Sequence, residues 1–408
     1  MVSICLNMIV KNESKVIERM LNSVIDIIDY YVIVDTGSTD NTSECIIKYF
    51  SDKKIKGEIY NHKFKNFGYN RTHAVKLAKN KCDYILFMDA DHILHYDKTF
   101  SKDLLKHYDE INISLKTGNL SYYLVRFLKG DLDIKSVGVT HEYYEYKPRN
   151  NKILYLDNIW IDDICDGGCR NEKFIRDEYL LKEDIKQNSN SRNLFYLGET
   201  LKNSKKYKEA IEIYKECIKK SKWDEEIWYS IAMIAKCYIN LDDEANALYF
   251  TMESYNFDND RIENLYYMSE YYLKKKKINL FLAMSKLALG KDSTKRTLFV
   301  EKNIYEYLFD LNRSIIYFYK NMNAEEIINK NLNKFNIPSI YYDNFYNNLI
   351  FYSKIITHYF DINFSKSNIE YNRVEFPLIV YKDNKYGISS LNPLTIVDDN
   401  FEVVKIDK

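Results

Sequence analysis

The stretch FMDADH, residues 87 to 92, sets two carboxylates, Asp89 and Asp91, two positions apart just past an apolar run. Such a pair can hold a divalent cation through hard oxygen ligands while leaving coordination positions open for diphosphate oxygens, a set that suits Mn²⁺ or Mg²⁺. The metal would neutralise charge developing on a departing diphosphate. Another carboxylate, Asp35, ends the apolar part of VIVDTGSTDNT at 32 to 42, where it can accept from a uracil N–H or a ribose hydroxyl. Arg71 offers a planar fork for phosphate or a base carbonyl. A transfer to a hydroxyl also needs a carboxylate base, and Glu142, Asp163 and Asp166 qualify by type and region. Glu142 stands slightly ahead, because it follows His141 where the chain should turn from donor to acceptor side. His141 could serve as base or third metal ligand.

These residues need elements to position them. Residues 3 to 10 read as a buried strand. Val16, Ile17, Met20, Leu21, Val24, Ile25 and Ile28 then recur at helical spacing, with Ser14 as the expected cap. YYVIVD is a second strand, SECIIKYF a short helix, GEIYNH a third strand, YNRTHAVKLAKN a helix and KCDYILFMDAD a fourth strand. This alternation predicts a mostly parallel sheet covered by helices. Ligands of open α/β sheets sit beyond the carboxyl ends of the strands, so one crevice can hold Asp35, Asp89 and Asp91. From about 120 to 165 the pattern changes to short strands, expected as antiparallel additions to the sheet. The loop CDGGCRNEKFIRD then leads into helices.

Asp-Thr-Gly-Ser also resembles an aspartic protease strand. That chemistry needs two carboxylates sharing a proton in an all-β fold, and the sequence has neither a second motif nor an all-β pattern. Gly-x-Gly-x-x-Gly after the first strand and the Walker lysine motif are absent, which argues against dinucleotide and P-loop sites. Lys and Arg total 59 and Asp and Glu total 59, so no net field draws nucleic acid or an anionic membrane. Seven cysteines without framework spacing fit a reducing compartment. No leader or transmembrane segment is recognisable, and the expected location is cytoplasmic.

From about 190 the sequence is helical with a repeat. Leu197-Gly198, Tyr207, Ala210 and Tyr214 have the large-small spacing of a tetratricopeptide unit, and residues 228 to 255 echo it with Ala245 matched to Ala210. A looser copy near Leu265 carries Ala283. The end, from about 376, alternates like two or three strands with a turn at Asp383-Asn384.

MIVKNES, VDTGSTDNT, NFGYNRTHAVKLA and YILFMDADH, in this order, resemble the family 2 glycosyltransferases of GT-A fold over roughly residues 1 to 180. The resemblance implies an α/β, Rossmann-like GT-A domain at 1–187; the repeat spacing and the strand alternation beyond it lead us to expect a tetratricopeptide-like helical domain at 188–360 and a strand-rich tail at 361–408. It implies that Asp35 contacts the nucleotide base, Arg71 lies near base and diphosphate, Asp89 lies near the ribose and Asp91 binds the metal. The same motifs put Val10, Asn12, Glu13, Gly37, Ser38, Asp40, Asn70 and Ala90 in the nucleotide-sugar site. DGGCRNEKFIRDEYLL resembles a loop preceding tetratricopeptide-like helices in one such group. There Gly167 and Gly168 would let backbone approach the donor, with Arg170 and Lys173 covering the diphosphate. His92 departs from the family, which usually carries Glu there.

The expected activity is a metal-dependent, inverting transfer of a single sugar from a nucleotide-diphosphate sugar, foremost a UDP-sugar, to a hydroxyl of a glycan, lipid-linked or protein acceptor. The helical repeats would serve a protein partner or self-association. The alternative is an inactive scaffold of the same fold. A glycoside hydrolase would need neither the second-strand Asp nor a metal.

Overall fold

In the computed structural model the described residues are all except 1, 119, 150–151, 169–172, 335–336, 352–377, 383–384, 390–393, 398–402 and 406–408. The chain divides into two compact units, Met1–Trp223 and Asp224–Lys408.

The first unit opens as β1 (Ile4–Val10), α1 (Ile17–Val24), β2 (Tyr30–Asp35), α2 (Thr42–Lys53), β3 (Lys56–Asn61), α3 (Phe67–Ala78) and β4 (Tyr84–Phe87). β3, β2, β1 and β4 lie side by side and parallel. β1 is apolar on both faces because both are covered. Ile4, Leu6, Met8 and Val10 pack with α1 and α2 residues, while Cys5 packs with Val75 and Ala78 of α3. Buried Asn7 ties strand to helix, donating to the carbonyls of Val32 and Ala74, each at 3.0 Å.

Ser14 does not cap α1, which starts at Ile17 without a side-chain cap. The Ser14 N–H instead donates to Asp40. The segment after β1 is spent on the neighbouring loop, so the helix starts later.

β5 (His92–Tyr96), β6 (Glu110–Thr117) and β7 (Leu120–Lys129) follow, then β8 (Lys135–Val137), β9 (Tyr143–Glu145) and β10 (Ile153–Asp163). The eight-stranded order is β3-β2-β1-β4-β7-β6-β10-β5. β10 runs parallel to β6 and antiparallel to β5, with Asp163 opposite His92. The expectation that all the short strands extend this sheet fails for β8 and β9, which form a separate two-stranded ribbon. That ribbon docks on α3. Gly68 and Phe67 N–H groups donate to Gly138 and Val139 carbonyls, and Thr72 exchanges two bonds with the backbone of Ser136.

α4 (Lys173–Gln187), α5 (Ser191–Asn203) and α6 (Tyr207–Lys220) complete this unit. A Cβ on Gly198 of α5 would lie 2.5 Å from the Tyr214 ring, so only glycine lets α6 pack so closely.

The second unit carries α7 (Asp224–Asn240), α8 (Glu244–Phe257), α9 (Glu263–Lys274), α10 (Ile278–Leu287), a π turn at 304–308, α11 (Phe309–Tyr319), α12 (Glu325–Leu332) and α13 (Ser339–Phe351). The sequence matched Ala210 with Ala245 and Ala283, but both of the latter are exposed. The fourth residues of α6, α8 and α10, which are Ala210, Ala247 and Phe281, are the fully buried ones. In the tail, β11 (Leu378–Lys382), β12 (Lys385–Ser389), β13 (Leu394–Val397) and β14 (Val403–Lys405) form an antiparallel sheet in chain order. Among the described residues the tail has four strands rather than two or three, and the expected turn at 383–384 lies outside them. No helix among the described residues is long and apolar enough to cross a membrane.

Candidate active site

A cleft of about 610 Å³ opens beyond the carboxyl ends of β1 and β4. Val10, Asn12, Glu13, Arg71, Asp89, Ala90, Asp91 and Gly168 line it, as do Lys11, Phe64, Phe67 and Arg176.

The loops after β1 and β2 are knitted together. Asn12 N–H donates to Ser38 Oγ at 3.0 Å, Thr39 N–H to Asn12 Oδ1 at 2.7 Å and Glu13 N–H to Thr42 Oγ1 at 2.8 Å. Asp40 accepts from Ser14 and Thr42. Asp35 is 4% exposed. Its Oδ1 accepts from the N–H groups of Gly37 and Ser38, and its Oδ2 from the Ser43 hydroxyl at 2.6 Å. It therefore shapes the loop behind the cleft. Asn70 behaves alike: fully buried, it accepts from Lys65 N–H and donates to the Lys63 carbonyl.

β4 stops at Phe87, and the turn after it presents Asp89 and Asp91 in different directions. Asp89 Oδ1 accepts from Arg71 Nη2, and its Oδ2 lies 3.5 Å from His92 Nε2 and 3.9 Å from Arg126 Nη1. Burial alone would raise the Asp89 carboxyl, but Arg71 and Arg126 hold it well below the usual carboxylate range. Arg71 Nε also donates to Glu142. Two arginines thus balance two carboxylates.

Beside this neutral group stand three carboxylates, Glu13, Asp91 and Asp163, that form no salt bridge with a lysine or arginine among the described residues. Burial raises Asp91, and Asp89 and Asp163 add to the rise. Burial also pushes Glu13 up to about 7. Ligand atoms of Asp91, His92 and Asp163 lie within 4.8 Å of one another, and the carboxylate oxygens among them are hard donors that fit a divalent cation. His92 Nδ1 accepts from the Asp89 N–H at 3.1 Å, which puts the imidazole proton on Nε2. Burial holds its pKa down to about 4, so the ring is neutral. With its lone pair engaged, His92 steadies the turn, and Asp91 is left to face a cation with Asp163 beside it.

The other expected residues scatter. His141 stacks on Tyr196 at 4.1 Å, and its carbonyl accepts from Arg192 of α5. It is not in the metal-ligand group. Asp166 is bidentate with Arg19, at 2.6 and 2.8 Å. Asp163 Oδ1 accepts from Cys165 N–H at 3.0 Å. Gly168 lies against Asn12, where a Cβ would come within 1.8 Å of the Asn12 carbonyl oxygen, and Gly167 sits beside Asp91 and Glu13. Lys173 begins α4 and is exposed, whereas Arg176, one turn on, lines the cleft. Arg170 lies outside the described residues.

Residues 5–167 match the protein-family model for Glycosyl transferase family 2. They form a family 2 glycosyltransferase domain. Its mixed sheet, with the cleft at the strand ends, is GT-A-like. The chain is 39% identical over 92 residues to the SPbeta prophage-derived glycosyltransferase SunS of Bacillus subtilis (strain 168), and equally to glycosyltransferase SunS of Bacillus phage SPbeta. Each match covers 22% of this chain and only 20% of the relative. Among solved structures, S. aureus TarS 1-349 is 14% identical, covering 74% of this chain and 95% of that one, with a TM-score of 0.31. YrrB, a TPR protein, is 12% identical over 42% of this chain and 84% of its own, with a TM-score of 0.30.

The motifs thus led to the glycosyltransferase domain's cleft, but its lining also includes residues the sequence reading passed over. Phe64 and Phe67 pack edge to face at 5.2 Å, and the Arg176 guanidinium lies 4.7 Å from the Phe67 ring centre. The aromatic pair just before Arg71 was a usable signal. Arg126 gave none, since it stands mid-strand in β7 and meets Asp89 only through the β4–β7 pairing.

Proposed function

We propose that the chain is a metal-dependent, inverting glycosyltransferase that moves one sugar from a nucleotide-diphosphate sugar, foremost a UDP-sugar, to an acceptor hydroxyl. The observation that carries this reading is the cleft in a family 2 domain lined by Asp91 and a charge-balanced arginine–carboxylate group, with Asp163 next to Asp91.

In this reading Asp91 anchors Mn²⁺ or Mg²⁺, which when bound neutralises charge on the departing diphosphate. The loop shaped by Asp35 and the Phe64–Phe67 pair form the nucleotide end, and Arg71 and Arg176 offer nitrogens toward phosphate. Among the three carboxylates weighed for the base, Asp166 is engaged by Arg19 and Glu142 by Arg71. Asp163, beside Asp91, is our choice to take the acceptor proton. The helical repeats are proposed to bind the acceptor or a protein partner.

A thermal-shift screen of UDP-, GDP- and dTDP-sugars with and without Mn²⁺ tests the donor class. Stabilisation that needs both a nucleotide sugar and Mn²⁺ is expected, and its absence for all three nucleotides would overturn the reading. Asp163→Asn should keep donor binding and lose about 10² to 10⁴-fold in transfer. Unchanged transfer would remove Asp163 as base.

A further inference from the structure

We infer that Glu142 is a positioning residue: with Asp89 it clamps the guanidinium of Arg71 so that a terminal nitrogen is offered to the donor in the cleft. This inference rests on the transferase reading above.

Arg71 sits in the first half of α3 and its side chain is only 13% exposed. Nε donates to Glu142 and Nη2 to Asp89. Nε and Nη2 share one edge of the guanidinium plane, so both carboxylates grip that edge. Nη1 has no hydrogen bond among the described residues, and Arg71 lines the cleft. A guanidinium held on one edge presents its other end in a fixed direction, which suits a phosphate or base oxygen.

Glu142 reaches this place through long-range packing. The β8–β9 ribbon is bonded to α3 through Gly68, Phe67 and Thr72, which brings the turn before β9 over Arg71. In that turn His141 takes a positive φ of 51°, and Arg192 and Tyr196 hold it in place. Just after it, Tyr144 stacks on Phe87 at 4.1 Å. Glu142 is thus fixed from both sides and its side chain is 14% exposed. To reach an acceptor hydroxyl it would have to leave a largely buried arginine with Asp89 as its one carboxylate partner, which is costly.

The two roles predict different kinetics. Binding of UDP with Mn²⁺ is measured by calorimetry, and turnover as hydrolysis of the UDP-sugar that gives the largest thermal shift. For Glu142→Ala we expect UDP affinity to fall about 10-fold with kcat within about threefold of wild type. Glu142→Gln, whose amide oxygen can still accept from Arg71, should lie between the two. In an Arg71→Met background, Glu142→Ala should weaken UDP binding no further, the non-additivity expected of residues acting through one another. A kcat loss of about 10² to 10⁴-fold in Glu142→Gln with unchanged UDP affinity would make Glu142 the base and overturn the inference. Fully additive losses in the double variant would also overturn it. A wild-type protein that binds no nucleotide with Mn²⁺ would overturn the transferase reading first, a result separable from both of these.

Discussion

Glu13 Oε2 accepts a hydrogen bond from the backbone N–H of Gly168 at 2.8 Å, joining the loop after β1 to the loop after β10 across 155 positions of sequence. Both residues line the cleft, and Gly167 fits between Glu13 and Asp91. The contact joins the two segments at the cleft, and the Arg19–Asp166 pair and the packing of Gly168 on Asn12 hold the same regions together.

Glu13 titrates near neutrality, and this gives a pH dependence. Its pKa is raised from 4.5 to about 7, chiefly by burial. A raised carboxyl contributes stability that is full below its ordinary pKa and is lost as pH rises through the folded value. The metal-free protein should therefore lose stability between about pH 4.5 and 7 in part through Glu13. Glu13→Gln keeps an acceptor for Gly168 but cannot ionise, so its Tm should gain on wild type across that window. Parallel Tm curves for the two proteins would show that Glu13 does not titrate there.

Asp91→Asn should abolish Mn²⁺-dependent UDP binding. The carboxylate it removes is crowded by Asp89 and Asp163, so Tm of the metal-free protein should hold or rise slightly near neutral pH. Calorimetry checks the first outcome, and Mn²⁺-dependent affinity equal to wild type would end the metal assignment.

Gly168→Ala tests the close approach of the two loops. The new Cβ would meet the Asn12 carbonyl at 1.8 Å, so the loop must move and the bond to Glu13 must break. Since Gly168 is exposed, Tm should change little while UDP affinity falls about 10-fold or more. Normal affinity in titration would mean that this loop does not shape the donor site.

In the second unit, Arg261 and Glu263 are almost wholly buried, 2.7 Å apart, with the guanidinium 3.9 Å from the Trp228 ring centre. Tyr305 donates to Glu263 at 2.6 Å. Arg261→Met leaves Glu263 buried without its cation, which should cost about 3–5 kcal/mol. Urea unfolding measures this directly, and a loss below about 1 kcal/mol would contradict the pair's importance.

The sequence alone determined the parallel half of the sheet. Continuous apolar runs make strands covered on both faces, and the helical stripes between them have only those faces on which to bury. It determined the cleft's position too, because Asp35, Asp89 and Asp91 follow strand ends. Partnership between carboxylates and cations was different. Asp35 turns inward to Gly37, Ser38 and Ser43, Asp166 goes to Arg19, and Glu142 goes to Arg71. None of these pairings follows from a motif, because each compares the burial and distance of groups far apart in the chain. The ribbon shows the reason most plainly. β8 and β9 read as two more strands, yet hydrogen bonds from α3 hold them apart from the main sheet. Local propensity sets that they are strands, while the edge they pair with depends on which backbone groups tertiary packing leaves open. Only that docking brings Glu142 to Arg71, and so decides what Glu142 can do.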